Sequence, residues 1–184
     1  MSDLQKDFTD FYLKSGTIHI NSNFNTQLSD RVIKELLFLD SILEKDIPIN
    51  ILINSHGGDV NDCFSILSIM DMIKSRRVIR CIGIGLVFSA AFSVFINATP
   101  GQRVAHIHAI FGTHFARWSN ISGSVESIAS DDRILLTHNN HIEYLAKKLN
   151  KPIDAIKNEF KKDRHFSAQE AFSCGIADTV VLGE

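Results

Sequence analysis

Three features of the 184-residue chain combine residue types that could do chemistry. The first is Asn54-Ser55-His56-Gly57-Gly58, where a glycine pair follows a short β-branched run and precedes a helical pattern. Two glycines there let the backbone turn sharply and leave its amides exposed, able to face a developing oxyanion or a phosphate. A tight strand-to-helix turn without chemistry carries the same pattern. The second is Ser89, at the entrance of an apolar helix, where the helix dipole favours negative charge. A nucleophile fits that place, and so does an ordinary N-cap. The third is His114, closing an alternating run that also carries His106 and His108. A His-x-His pair can bind metal, but no third ligand stands at a familiar spacing, so no metal site is expected. Residue types alone do not choose among these readings.

The elements that position these residues alternate between strand and helix. Thr17–Ile20 alternates as a short strand, and 26–43 is amphipathic, with Leu28, Val32, Ile33, Leu36, Leu37 and Leu39 on its apolar face. The run 47–54 is a short β-branched strand leading into the glycine pair. From Asp59 to Ile73, Cys63, Phe64, Ile66, Leu67, Met70 and Ile73 recur at helical spacing. A second unit of the same form follows: a buried strand over 78–85 and a compact apolar helix from Phe88 to Ile96. The run 103–113 alternates as one strand. A long helix is expected over 124–149, with Ile128, Leu135, Ile142 and Leu149 forming a narrow seven-residue seam. Pro152 fits the first turn of a further helix. Ser167-Ala168-Gln169-Glu170 is a capping box, with Gly175 the matching C-terminal stop. This alternation, with one late long helix, indicates an α/β fold.

Composition bounds the function. With 45% hydrophobic residues, 22% charged residues and a net charge of −2, the chain reads as one globular domain. There is no basic excess for nucleic acid. Cys63, Cys81 and Cys174 are far apart and form no CxxC pair, so neither a disulfide framework nor zinc ligation is expected, and a reducing compartment is the default. The segment MSDLQKDFTDFYLK has no apolar core of a secretory signal. The uncharged stretch from Cys81 to Gln102 is interrupted by Gly83, Gly85, Ser89, Ser93, Asn97 and Pro100, which fits a buried strand and helix better than a membrane span.

Taken together, Asn54-Ser55-x-Gly57-Gly58, the apolar strand into Ser89, His114, and Asp163 ahead of Phe166-Ser167-Ala168-x-Glu170-Ala171 resemble the Clp protease proteolytic subunit. Leu36-Leu37-Phe38-Leu39, Glu44-Lys45-Asp46-Ile47 and Gly175-Ile176-Ala177-Asp178 add to the likeness, which runs from about Thr17 to Leu182. The family's Ser-to-His and His-to-Asp intervals are matched in register by Ser89, His114 and Asp163. The resemblance implies a ClpP/crotonase-like α/β fold of repeated β-β-α units with a long protruding handle helix. It implies an N-terminal segment over residues 1–16, short against the family's axial loop, and a ClpP-like serine protease domain over 17–184.

The same resemblance makes Ser89 the nucleophile, His114 its base and Asp163 the group that orients the imidazole. Oxyanion donors would be the backbone N–H groups of Gly58 and Ala90. An extended peptide would be bound by Gly57, Asp59, Val60 and Asn61 on one side, by Phe115, Ala116 and Arg117 on the other, and by Phe88. The implied activity is a cytoplasmic serine endopeptidase without metal or organic cofactor, acting on unfolded polypeptides or short peptides. Stacked heptameric homo-oligomeric rings are implied, with an AAA+ unfoldase as a further partner and neither nucleic acid nor membrane involved. A silent ring subunit serving as scaffold, and a crotonase-type acyl-CoA enzyme on the same fold, are the alternatives.

The chain departs from the family pattern at four places. His56 replaces the proline before the glycine pair. Phe88 adds bulk before the nucleophile, Ala91 stands where the family has glycine, and the interval from the glycine pair to Ser89 is two residues longer. If the glycine position needs positive φ, Ala91 misplaces the helix start and Ala91→Gly would raise activity.

Overall fold

The computed structural model describes residues 14–113, 132–160 and 163–183. Strand β1 (Thr17–Ile20) leads into helix α1 (Thr26–Ile42), capped by Asn25, whose side-chain oxygen accepts the Leu28 N–H at 2.9 Å. Strand β2 (Ile49–Ser55) ends at the glycine pair, and helix α2 (Val60–Lys74) begins with Asp59 as its cap. Strand β3 (Ile79–Phe88) is followed by helix α3 (Ala90–Ile96), every residue of which is buried. Then come strands β4 (Arg103–His106) and β5 (Ile110–Thr113), helices α4 (Asp132–Leu149) and α5 (Ile153–Phe160), strand β6 (Arg164–Ser167), helix α6 (Ala168–Ser173) and strand β7 (Thr179–Val181).

The strands form one mostly parallel sheet in the order β1-β2-β3-β4-β7, and it forks at β3. The first half of β3 pairs with β4 and its last three residues pair with β5: Leu86 with Ile110, Val87 with Phe111, Phe88 with Gly112. Strand β6 then adds antiparallel to β5, setting Gly112 opposite His165 and Thr113 opposite Arg164. Along β2 the fully buried Ile49, Ile51 and Ile53 alternate with half-buried Asn50 and Leu52, and along β3 the buried Ile79 and Cys81 alternate with Arg80 and Ile82. This is the period-2 pattern of a strand with one face turned to the core. The core is built from Ile18, Ile20, Ile49, Ile51, Ile53, Phe92, Phe95 and Phe111, all at most 1% exposed. Leu28, Val32, Leu36 and Leu39 of α1 pack onto it, while Leu37 and Phe38 face outward.

Several expectations change in detail. The run 103–113 is two strands, broken by a turn at Ile107–Ala109 that contains neither glycine nor proline. The helix after Phe88 begins two residues later, at Ala90. Pro152 stands just ahead of α5 and accepts the Ile156 N–H at 3.2 Å, so it occupies the cap rather than the first turn. Of the seven-residue seam, Ile142 is 2% exposed within the chain's own core, whereas Leu135 is 43% exposed; Ile128 lies outside the described residues. The capping box at Ser167 and Glu170 is complete, and Gly175 has φ +76° just past α6.

The long uncharged stretch folds as β3 and α3, and among the described residues no helix is long and apolar enough to cross a membrane. Cys63, Cys81 and Cys174 are free thiols. His106 and His108 face each other with ring centroids 5.3 Å apart across the β4–β5 turn, and among the described residues no third metal ligand joins them.

Candidate active site

The glycine turn and the start of α3 are packed face to face. Gly57 has φ +94° and Gly58 φ +146°, conformations that L side chains rarely adopt. A Cβ on Gly57 would stand 2.6 Å from the Ser89 Cβ and 2.9 Å from the Ala90 nitrogen. A Cβ on Gly58 would meet the Phe24 carbonyl oxygen at 2.4 Å. Both glycines are therefore required by close approach as well as by torsion.

Hydrogen bonds fix the turn from both sides. Phe24 N–H donates to the Gly57 carbonyl at 2.8 Å, and Asp59 N–H donates to the Phe24 carbonyl at 3.0 Å. Ser55, buried at the end of β2, donates its hydroxyl to the Ser22 carbonyl at 2.7 Å and accepts the Gly57 N–H at 3.1 Å. Among these bonds none uses the Gly58 N–H. Asp59 accepts the N–H groups of Asn61 and Asp62 at 2.8 and 3.0 Å, so its carboxylate is the cap of α2, with Val60 and Asn61 as the first residues of that helix.

Ser89 does not behave as a cap. Its side chain makes no capping hydrogen bond, and its backbone sits at φ +54°, ψ −120°. Such a conformation costs a non-glycine residue on the order of 1–3 kcal/mol and persists only where the surroundings enforce it. They do so here: Ser89 N–H donates to the Gly112 carbonyl at 3.1 Å, and its carbonyl accepts Ser93 N–H at 3.2 Å. A sharp strand-to-helix turn of this kind lifts a hydroxyl clear of the sheet and leaves it half-exposed. Ala90 follows as the first helical residue, where the N–H has no intrahelical acceptor.

Phe88 is accommodated by a missing side chain on the neighbouring strand, far away in sequence. A Cβ on Gly112 would meet its ring at 2.8 Å, so the ring lies over Gly112 and reaches His165 on β6, with centroids 5.3 Å apart. His56 closes the other side edge-on at 6.2 Å. The histidine in place of proline before the glycine pair and the phenylalanine before Ser89 thus form one aromatic row with His165. Sequence reading names Ser55 only as part of the turn motif and misses Gly112 and His165, which a strand register alone could have joined to Phe88.

Ala91 has no positive φ and is fully buried inside α3. The expectation that alanine misplaces the helix start is thereby corrected: the helical backbone takes it without strain. The two extra residues ahead of Ser89 are absorbed in β3. Ile53 pairs with Gly83 but Ser55 pairs with Val87, so four steps along β3 face two along β2. Asn54 fills that bulge, accepting the Leu86 N–H at 2.9 Å and lying so close to Gly85 that a Cβ there would stand 2.4 Å from its oxygen.

Asp163 immediately precedes β6, beside Arg164, whose guanidinium stands 5.1 Å over the Phe166 ring. Arg164 in turn pairs with Thr113, the last described residue of β5. His114, Phe115, Ala116 and Arg117 lie outside the described residues. Two thiols pass under α3, Cys63 donating to the Ala90 carbonyl and Cys81 to the Val94 carbonyl, each at 3.4 Å. Burial pushes both thiols up, Cys81 to about 12, so they stay protonated.

Comparison with known proteins identifies the family and the fold. The family model for Clp protease matches residues 2–184. The chain is 28% identical over 174 residues to the ATP-dependent Clp protease proteolytic subunit 2 of Thermobifida fusca, covering 92% of this chain and 82% of that protein. It is 28% identical over 169 residues to the subunit of the same name from Bacillus licheniformis, covering 92% and 87%. Among solved structures, a point mutant of ClpP1 from Listeria monocytogenes superposes with a TM-score of 0.82 at 25% identity, over 96% of this chain and 97% of that one. With the family model matching residues 2–184, the chain belongs to the Clp protease family.

Proposed function

We propose that the chain is a serine endopeptidase in which Ser89 attacks, His114 serves as base and Asp163 orients the imidazole. The observation that carries this reading is the strained, uncapped Ser89 packed against Gly57. Register supports the partners. Phe88 pairs with Gly112 on β5, and Thr113 pairs with Arg164 on β6, so the sequence neighbours of the paired residues are Ser89, His114 and Asp163. The described ends of β3, β5 and β6 next to these three sequence positions are thus joined through one run of strand pairs, which is the support the register lends to the reading.

The chemistry follows the demands of acyl transfer. His114 takes the Ser89 proton as the oxygen attacks the scissile carbonyl, and the carboxylate of Asp163 stabilises the imidazolium. The Gly58 and Ala90 N–H groups donate to the oxyanion; losing one such donor typically costs about 10²–10³ in rate. The imidazolium then protonates the leaving amine, leaving an acyl-enzyme on Ser89. Water, deprotonated by the same imidazole, hydrolyses that ester and returns the proton to Ser89. An extended peptide would lie between Gly57–Asn61 and Phe115–Arg117, with Phe88 at its edge.

Ring assembly, a cytoplasmic setting and an AAA+ unfoldase partner belong to the same proposal. The exposed Leu135 and Leu136 on α4, with Leu37, Phe38 and Ile42 on α1, supply apolar surface for copies of the chain. A serine-directed fluorophosphonate tests the chemistry. Labelling at Ser89, lost in Ser89→Ala, is expected; absence of label on an assembled particle would favour the scaffold reading.

A further inference from the structure

Ser93, one turn into α3 from Ser89, is fully buried and fixed three times over. Its N–H donates to the Ser89 carbonyl at 3.2 Å, its hydroxyl shares a 2.8 Å hydrogen bond with His141 Nε2, and its carbonyl accepts the Tyr144 hydroxyl at 3.0 Å. His141 and Tyr144 are both on α4, 48 and 51 residues further along the chain. Phe64 of α2 packs edge-on against both rings, with centroids 6.0 and 6.4 Å away.

A serine in a wholly buried seven-residue helix costs desolvation that an apolar residue would not incur, unless its hydroxyl is paired. The pairing here is spent on the residue that bonds the Ser89 carbonyl. Helix α3 has no acidic first turn, no basic last turn and no side-chain cap to fix its start. The strained Ser89 backbone therefore depends on what α3 is tied to. Burial, with the nearby Cys63 and Asp71 adding to it, pushes the Tyr144 phenol well above its ordinary range, so it remains a donor.

We infer that His141 and Tyr144 are positioning residues for the reaction, clamping α3 through Ser93 so that Ser89 keeps its reactive conformation. This rests on the reading of Ser89 as nucleophile. It makes α4 part of the catalytic framework of the protomer rather than only a surface for assembly.

The test uses the intact protein in three variants: Tyr144→Phe, which removes one hydroxyl and keeps the ring; His141→Leu; and His141→Gln, which returns a hydrogen-bonding group to Ser93. Fluorophosphonate labelling rate at Ser89, and kcat and KM on one apolar fluorogenic peptide, are read for each. Tyr144→Phe and His141→Leu are expected to lower labelling rate and kcat by about tenfold or more. KM should stay within about twofold, the split expected when a transition-state arrangement is lost. His141→Gln should recover most of the loss. A folded Tyr144→Phe protein that labels at the wild-type rate overturns the inference, and it does so even if His141→Leu does not fold. Losses shared equally by His141→Gln and His141→Leu overturn it too. Wild-type protein that takes no label removes the nucleophile reading itself, and with it this one.

Discussion

The α-carbon of Gly57 packs so closely on Ser89 that an added methyl would stand 2.6 Å from the Ser89 Cβ. The glycine turn and Ser89 are thus one packed unit, although thirty-two positions separate Gly57 from Ser89 in the chain. Gly57→Ala should abolish hydrolysis and destabilise by about 1–3 kcal/mol, the usual cost of forcing atoms into a filled site. Thermal melting and peptide turnover measured on one preparation check both effects; an active, fully stable variant would contradict the packing.

Ser89 itself separates stability from activity. Both Ser89→Ala and Ser89→Gly should lose hydrolysis, but glycine relieves the backbone strain at φ +54°. Net of glycine's greater chain entropy, Ser89→Gly should exceed Ser89→Ala by about 1 kcal/mol. Paired melting curves decide this, and equal melting temperatures would mean the torsion is not costly.

Ala91 lies in ordinary helical backbone within a fully buried turn. Ala91→Gly should therefore not raise kcat/KM, and should cost roughly 0.5–1 kcal/mol of stability. Steady-state kinetics on a fluorogenic peptide would expose the opposite result directly.

Acid should weaken the β4–β7 edge. Asp178 accepts the Arg103 N–H at 2.9 Å and pairs with the Arg103 guanidinium. Partial burial works against its charge, but the hydrogen bonds and charge of Arg103 prevail and hold its carboxyl below the ordinary range. Since the folded value is depressed, the stabilisation is complete above the unfolded carboxylate value near about 4 and fades as pH falls through the lowered one. Asp178→Asn should flatten that part of the stability–pH curve, as measured by urea unfolding at stepped pH.

The local signals in the sequence were legible where one face of one element decided the outcome. The amphipathic pattern of α1, the capping box at Ser167 and the glycine pair after β2 each depend on neighbours within a few residues. What was not legible depends on pairing across the sheet. Nothing near Phe88 shows that Gly112 leaves room for its ring, and nothing near Ile107 marks a turn between two strands. The spacing of Leu135 and Ile142 identifies a face of α4, but not that Ile142 is covered by the chain's own core. At Ala91 a family glycine suggested a special torsion where the helix needs only a small residue.

The bulge in β3 has a mechanical consequence. Because Ser89 is hung from Gly112 of β5, and the mismatch with β2 is taken up earlier at 84–86 under the Asn54 side chain, β3 acts as a slip joint. Slack inserted upstream is taken up before Ser89. The height of Ser89 is set by the β5 branch of the fork, so Ser89, Gly112 and the β6 residues paired to β5 form one frame, while the lengths of the strands feeding it are free to drift.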